Sequence, residues 1–544
     1  MATPASIGGP FFFNAEQKTA MTQYQKPTTL FEILMGGTVL AFLLLLTVGT
    51  VIAVGTATSF QQGLNPSDWA AIRFTILQAL TSATLSIMIA IPTARALARQ
   101  QFRGRQIMIS LLGAPFILPA IVAVLGIIAV WGRSGLISDG LKALGTEPLN
   151  IYGFTGIILA HIFFNLPLAT RLILQGWLAI PSEHFRLAAQ LGFSTSEINR
   201  RLERPMLLSI IPGAFLLIFL LCITSFAVAL ALGGGPRATT VELAIYQAIR
   251  FDFDLSKAAT LAIIQFGICM LIALVALKIA RPMDFTISLD QPAKRWDGHE
   301  RHTRTFDKVL LLLVAFFLFA PLISILLKGL QPLLSLPTQV WPALWKSVSI
   351  AIPAAVITTT SATALAALIA SLSKHTATAV ESVGFLTLAA SPFVIGTGLF
   401  ILLNPYFNPF ALALPLTIAV NVIMSLPFAL RIILPAITRN QNDYGRLGAS
   451  LGMTGITFFR LAIWPRIKRA LGFATGLSAA LSMGDLGVVT LFAPPDFATL
   501  PLTMYRLMAA YQMDAAAGTA LLLVATSLAL FWIFDRGGRS DHFI

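Results

Sequence analysis

Long apolar runs alternate with short polar breaks from one end of this chain to the other. Runs of about 18 residues or more are long enough to cross a bilayer as helices. A sliding window of about 19 residues predicts spans over 31–55, 70–97, 107–131, 152–178, 207–232 and 258–280. Six more follow over 309–329, 344–372, 381–403, 411–436, 468–493 and 515–534. A β-barrel would show short alternating segments instead. The predicted fold class is an all-α integral membrane protein with about twelve transmembrane helices. The polar stretch 1–30 reads as a tail. The run after it lies too far in, and is too long, for a cleaved leader. Between the two sets of spans, 281–307 reads as a polar linker holding Lys294, Arg295, Arg301 and Arg304.

Composition agrees with the pattern. Of 544 residues 56% are hydrophobic and 11% charged, against about a quarter charged in a soluble chain, so the solvent is largely lipid. A net charge of +14 would point to nucleic acid in a soluble protein. Here Lys and Arg gather in 95–105, 186–204, 281–308 and 439–469, whereas 56–69, 330–343 and 404–410 carry none. The positive-inside rule then places the basic segments and both termini in the cytoplasm and calls for no nucleic-acid partner. The outer loop 233–257 is mixed in charge. Cys222 and Cys269 sit in apolar runs and read as small buried hydrophobes.

One polar break occurs twice. The stretch 187–205 reads LAAQLGFSTSEINRRLERP and 447–465 reads LGASLGMTGITFFRLAIWP. Gly192 and Gly452 stand 260 positions apart, as do Pro205 and Pro465. Each copy precedes the fifth span of its set. The chain therefore divides into a first repeat, 31–280, with its loop at 181–205, and a second, 308–544, with its loop at 441–465. An even number of spans per repeat makes the repeats parallel.

Each loop predicts helix–Gly–helix. In the first, Ser182 is the expected N-cap, and Phe185, Ala188 and Ala189 form a small apolar stripe. Gly192 ends the helix where a positive φ is needed, and Ser194 to Glu197 form a capping box. Ile198 and Leu202 face inward, and Pro205 marks the approach to the next span. The second repeats the plan with Tyr444, Leu447 and Gly448, then Gly452, Thr454 as cap, Phe458, Ala462 and Pro465. Basic residues (Arg186, Arg200, Arg201; Arg446, Arg460, Lys468) surround both and suit an acidic rim. An amphipathic helix lying on lipid headgroups is the alternative. Two copies in register favour a docking surface for two copies of one partner.

At these residues the chain resembles the membrane permeases of binding-protein-dependent ABC importers. Their loop carries Ala-Ala, then Gly, then Pro thirteen residues later. The resemblance implies a type I importer permease fold and an ATPase-coupling role for Arg186, Leu187, Ala188, Ala189, Gly192 and Pro205. It implies the same for Arg446, Leu447, Gly448, Ala449, Gly452 and Pro465. The implied partners are two copies of an ABC ATPase subunit. Where the family often has Glu six residues before the Gly, this chain has Arg186 and Arg446, which removes any salt bridge carried by that Glu. The stretches LAHIFFNLPLATRLILQ (159–175), ALGGGPRATTVELAIYQA (231–248) and LSMGDLGVVTLF (481–492) narrow the likeness. They resemble the fused permeases of bacterial thiamine importers. That likeness implies transport of thiamine and its phosphate esters across the inner membrane, delivered by a periplasmic thiamine-binding protein. Fused ferric-iron permeases share the architecture and remain an alternative.

No GxxxxGK[ST] loop occurs, so ATP is expected on separate subunits. No enzymatic activity, cofactor or metal site is expected of the chain itself. Gly233 to Pro236 reads as an outer loop rather than a phosphate cradle. Within the spans the register pairs His161 with Asn421, Asn165 with Ser425 and Ser225 with Asp485. His161 and Asn165 share a helical face one turn before Pro167, as Asn421 and Ser425 do before Pro427. Polar groups at such depth are costly and mark pathways, and these six are the candidate translocation path, with Asp485 its clear acid. Helix-to-helix hydrogen bonding is the competing reading for each. An ion-coupled secondary transporter would explain twelve spans but not the doubled loop.

Overall fold

In lipid every backbone polar group must be satisfied within the protein, which favours helices. Among the described residues of the computed structural model (30–58, 63–112, 118–233, 235, 238–279, 301–387, 389–453 and 455–538) helix is the only regular structure. The first half runs α1 (Leu30–Ala57), α2 (Pro66–Arg99), α3 (Arg105–Leu111), α4 (Ala120–Trp131), α5 (Leu136–Ala143) and α6 (Phe154–Ala179). It continues with α7 (Ser182–Gln190), α8 (Thr195–Ile198), α9 (Arg204–Ile223), α10 (Phe226–Leu232), α11 (Val241–Arg250) and α12 (Leu255–Ile279). The second half runs α13 (Arg301–Leu330), α14 (Val340–Ser371), α15 (Lys374–Leu386), α16 (Pro392–Leu403) and α17 (Ala413–Ser450). It ends with α18 (Gly455–Phe458), α19 (Trp464–Met483), α20 (Gly487–Phe492), α21 (Leu500–Ala509) and α22 (Met513–Gly538).

Ten helical stretches among the described residues are long and apolar enough to cross a membrane. The expected spans 381–403 and 468–493 are not among them, because four expected spans are interrupted. The span 107–131 divides into α3 and α4, 207–232 breaks at Thr224–Ser225, 381–403 divides into α15 and α16, and 468–493 breaks between Met483 and Gly487. A hydropathy average runs across such breaks. The local signals are side-chain bonds to the first turn: the Ser391 hydroxyl, the cap of α16, accepts from the Val394 N–H (3.3 Å), and Asp485 Oδ1, one residue before the Leu486 cap of α20, accepts from the Val488 N–H (3.3 Å). Each starts the helix that follows it.

The 260-residue register holds only from α6 onward. The starts of α8 and α18, and of α9 and α19, are 260 apart, but those of α4 and α16 are 272 apart. The extra residues of the first half contain α5, an amphipathic helix without a counterpart among the described residues of the second. The expected linker 281–307 lies outside the described residues except for 301–307, which is helical and opens α13. The expected tail 1–30 is described only at Leu30. Thr454, Gly234 and Pro236 also lie outside.

The halves interlock. Helix α1 packs on α14 and α16, and α13 packs on α2 and α4, so each half's first helix crosses to the other half. Small residues permit this approach. A Cβ on Gly36 would stand 2.4 Å from Leu368 Cβ, and one on Gly126 2.8 Å from the Pro321 carbonyl. A buried ion pair joins the halves as well. Arg99 Nη2 lies 2.8 Å from Asp307 Oδ1, and Gln100 Nε2 donates to Asp307 Oδ2 (2.9 Å). At the far end of the chain, Gly538 packs on the Lys468 carbonyl. The starts of α1 and α13 and the end of α22 thus collect at the end of the bundle that carries the repeated loops.

Candidate functional site

The two loops are built alike. The Gly192 N–H donates to the Ala189 carbonyl (3.1 Å) and the Phe193 N–H to the Ala188 carbonyl (2.9 Å). Gly452 and Met453 bond to Ala449 and Gly448 at 3.1 and 2.9 Å. This paired 5→2 and 6→1 closure requires a left-handed residue, and Gly192 and Gly452 have φ of 65° and 66°. A wide π-turn follows in each, Asn199–Glu203 and Phe459–Ile463. Pro205 and Pro465 come two residues later. Proline cannot donate and crowds the carbonyl four residues back, which the wider turn accommodates.

Sidedness is equally matched. Ala188 and Gly448 are buried, while Arg186, Leu187, Ala189, Arg446, Leu447 and Ala449 face outward with Leu191 and Leu451. The expected stripe is corrected by this. Ala189 and Leu447 lie on the outer face, and the inner face is Phe185, Ala188 and Ile198 in the first loop. In the second it is Gly445, Gly448 and Phe458. Ser182 is also not the cap: Pro181 holds that position without a side-chain bond, and Ser182 is the first helical residue. The Ser194–Glu197 capping box is present, with Ser194 N–H to Glu197 Oε2 at 2.8 Å and Glu197 N–H to Ser194 Oγ at 3.3 Å.

Beneath the first loop lies a polar cluster absent from the sequence reading. Glu203, fully buried, stands 2.9 Å from Arg95 Nη2 and accepts from Trp177 Nε1 (3.2 Å). Its signal was an acid two residues before Pro205, hidden among arginines.

The helix breaks line an open cavity of about 380 Å³. Irregular backbone at membrane depth is tolerated where it lines a cavity. The starts of α4, α10 and α16, the segment between α19 and α20, and faces of α6 and α11 form its walls. It gathers His161, Asn165, Ser225 and Asp485. His161 Nδ1 lies 3.2 Å from Ser82 Oγ, and Asn165 Nδ2 donates to Cys222 Sγ (3.2 Å). Asn421 and Ser425 are buried outside the lining. Asn421 Nδ2 donates to Ser482 Oγ (2.8 Å), a bond that ties α17 to α19.

The cavity also holds an acid the sequence reading missed. The expected outer loop 233–257 contains α11, which folds back into the bundle with Val241, Ala244, Ile245 and Ala248 buried. Its start is fixed by the Val241 N–H donating to Thr75 Oγ1 (2.9 Å). The second half does the same with the Leu500 N–H and Ser347 Oγ (2.8 Å). Glu242 is thereby carried to the cavity wall, 1% exposed, with Oε1 accepting from Gln265 Nε2 (3.0 Å).

An all-α bundle of two interlocked halves, with a central cavity between broken helices and a matched pair of loops at one end, defines a membrane permease. No family model matches the chain. It is 38% identical over 517 residues, 93% of this chain and 95% of the relative, to the thiamine transport system permease protein ThiP of Brucella abortus (strain 2308). The proteins of that name from Escherichia coli (strain K12) and Haemophilus influenzae are 38% and 36% identical, covering 86% and 85% of this chain. The chain belongs to the family of thiamine transport system permease proteins. The ferric-iron alternative gains no support from these relatives.

Proposed function

We propose that this chain is the membrane-spanning permease subunit of an ATP-driven ABC importer. It moves thiamine and its phosphate esters, delivered by a periplasmic thiamine-binding protein. Likeness to thiamine permeases along 93% of the chain carries this reading. The chain sits in the bacterial inner membrane with both termini in the cytoplasm. Two ATPase subunits bind ATP and dock at the loops 181–205 and 441–465.

The outward pairs Leu187/Leu447 and Leu191/Leu451 support that docking. They are 53%, 56%, 62% and 61% exposed in matched positions, and an apolar side chain held at the tip of a basic loop suits a groove on a partner. Inward burial of Ala188 and Gly448 makes each loop a rigid lever, so a displacement of the tip is carried into α9 and α19. Those helices end where the cavity begins.

Copurification tests the reading: two ATPase subunits are expected per permease. Growth of a thiamine auxotroph on trace thiamine should be lost on deletion. Uptake by the permease alone in liposomes, without ATP, would sink it.

A further inference from the structure

We infer that the central cavity is a binding site for an organic cation bearing an aromatic ring, held between the Glu242 and Asp485 carboxylates and a wall of phenylalanines. The inference deepens the thiamine reading and rests on it for the identity of the cation, since the thiazolium ring is such a group.

Two acids meet in this cavity, one from each half. Glu242 follows Val241, the counterpart of Leu500, and so corresponds to Pro501, while Asp485 corresponds to Ser225 in the 260 register. Each carboxylate is anchored through one oxygen. Gln265 fixes Glu242 Oε1, and the Val488 N–H fixes Asp485 Oδ1. The second oxygens, Glu242 Oε2 and Asp485 Oδ2, are buried without a well-formed hydrogen bond among the described residues. The Ser391 hydroxyl also approaches the Glu242 carboxyl, and the Asn421 amide and the Gly487 and Val489 N–H groups approach that of Asp485. Buried carboxylate oxygens left in this state are costly unless something meets them. No Lys or Arg is among the residues that line the cavity, so a positive charge that meets these two acids would come from a bound ligand.

The rest of the lining selects the kind of cation. Phe164, Phe226, Phe393 and Phe428 face the same space, and the Phe226 and Phe393 rings are 4.4 Å apart at 45°. Aromatic faces attract weakly hydrated organic cations. A bare Ca2+ or Mg2+ ion needs about six oxygen ligands, and no group of three or more His, Cys, Asp or Glu that could hold a metal ion occurs among the described residues. The volume falls within the range of small-molecule sites, about 300–1,000 Å³. The helix starts that open here are not free for an anion: the Val394 N–H bonds Ser391, and the Val122 N–H bonds the Pro119 carbonyl (3.0 Å).

The test is equilibrium binding to the intact permease–ATPase complex in nanodiscs, without the binding protein. The probes are thiamine, an uncharged isostere with a neutral ring in place of the thiazolium, and a simple N-benzylthiazolium salt. Wild type should bind thiamine at least tenfold more tightly than the isostere. Glu242→Gln and Asp485→Asn should each weaken thiamine binding tenfold or more while leaving the isostere within twofold. Phe393→Leu should weaken both charged probes, and it serves if an acid variant fails to fold. Binding of the thiazolium salt with the same dependence on both acids, but none of thiamine, would support the cation site and remove the thiamine reading. Unchanged thiamine affinity in both acid variants, or no preference for charge in wild type, would overturn the inference.

Discussion

The two repeated loops share one backbone and differ in what fills it. In the first, bulk is on the leading helix: Phe185 and Ala188 pack against Ile198. In the second, Gly445 and Gly448 leave room that the Phe458 ring occupies from the trailing helix. The volume has moved across the contact. Beneath them the contrast is chemical. Arg95, Glu203 and Trp177 form a buried polar cluster in the first half. The corresponding residues of the second are Ala367, Ile463 and Ile437, with both isoleucines buried. Connection differs too: Pro181 divides α6 from α7, whereas its counterpart Gln441 lies within the single helix α17. What the halves hold in common is therefore the closure at Gly192 and Gly452, the outward leucines and the π-turn. On the proposed docking, the surface that meets one partner twice is the part the two loops share, and the support behind it differs in packing.

The largest effect should come from the polar cluster. Glu203→Ala leaves the Arg95 guanidinium without its acid and Trp177 Nε1 without its acceptor. Breaking a buried pair costs about 3–5 kcal/mol, and with Arg95 a quarter exposed the lower end, about 3, applies. The double variant Arg95→Ala, Glu203→Ile takes two of the three second-half residues, removes the unpaired guanidinium while keeping Trp177, and should regain at least half of that loss. The thermal midpoint of the purified permease reads both. Equal destabilisation by the single and the double variant would show that the two supports are not interchangeable.

A smaller effect tests the exchange of volume. A Cβ on Gly448 would lie 2.5 Å from the Phe458 ring, so Gly448→Ala overpacks the contact by about 1–3 kcal/mol. Adding Phe458→Ile creates the Ala–Ile pair of the first loop and should restore it. Hydrogen exchange over 441–465 follows the outcome. If the second substitution only adds to the damage, the loops do not share one geometry.

How much of this was legible follows from the distance over which each signal acts. The loop closures were plain because Gly, Ser and Glu at fixed offsets report local backbone geometry. The candidate path residues were chosen by register, yet register could not say which face each helix presents, and Asn421 and Ser425 lie outside the cavity lining. The breaks at Thr224–Ser225 and Asp485 were masked by a hydropathy window wider than the break. Glu242 was missed because α11 looked like an outer loop until α12 and Thr75 gave it a place inside. Glu203 and Arg95 are 108 positions apart, and nothing local pairs them.

The mildest contrast is in the trailing helices. Glu197 closes a capping box on Ser194, and its counterpart is Thr457, which carries no charge. The backbone bond from Ser194 holds the Glu197 carboxyl below the usual carboxylate range, with the Ser194 hydroxyl and then Arg201 adding to this. A carboxyl whose folded value is lowered contributes stability that is present above its unfolded value, about 4.3, and is lost as pH falls through the lowered one. Acidification should therefore loosen the start of α8 and leave α18 unaffected. The side chain is exposed, so the change is confined to local fraying rather than global unfolding. Amide exchange at Glu197 and Ile198, compared with Thr457 and Phe458 across that pH range, should rise in the first loop alone. Ser194→Ala should remove the pH dependence by loosening the helix start at every pH. A parallel rise in both loops would mean that acid acts through the shared closure at Gly192 and Gly452 and not through the box.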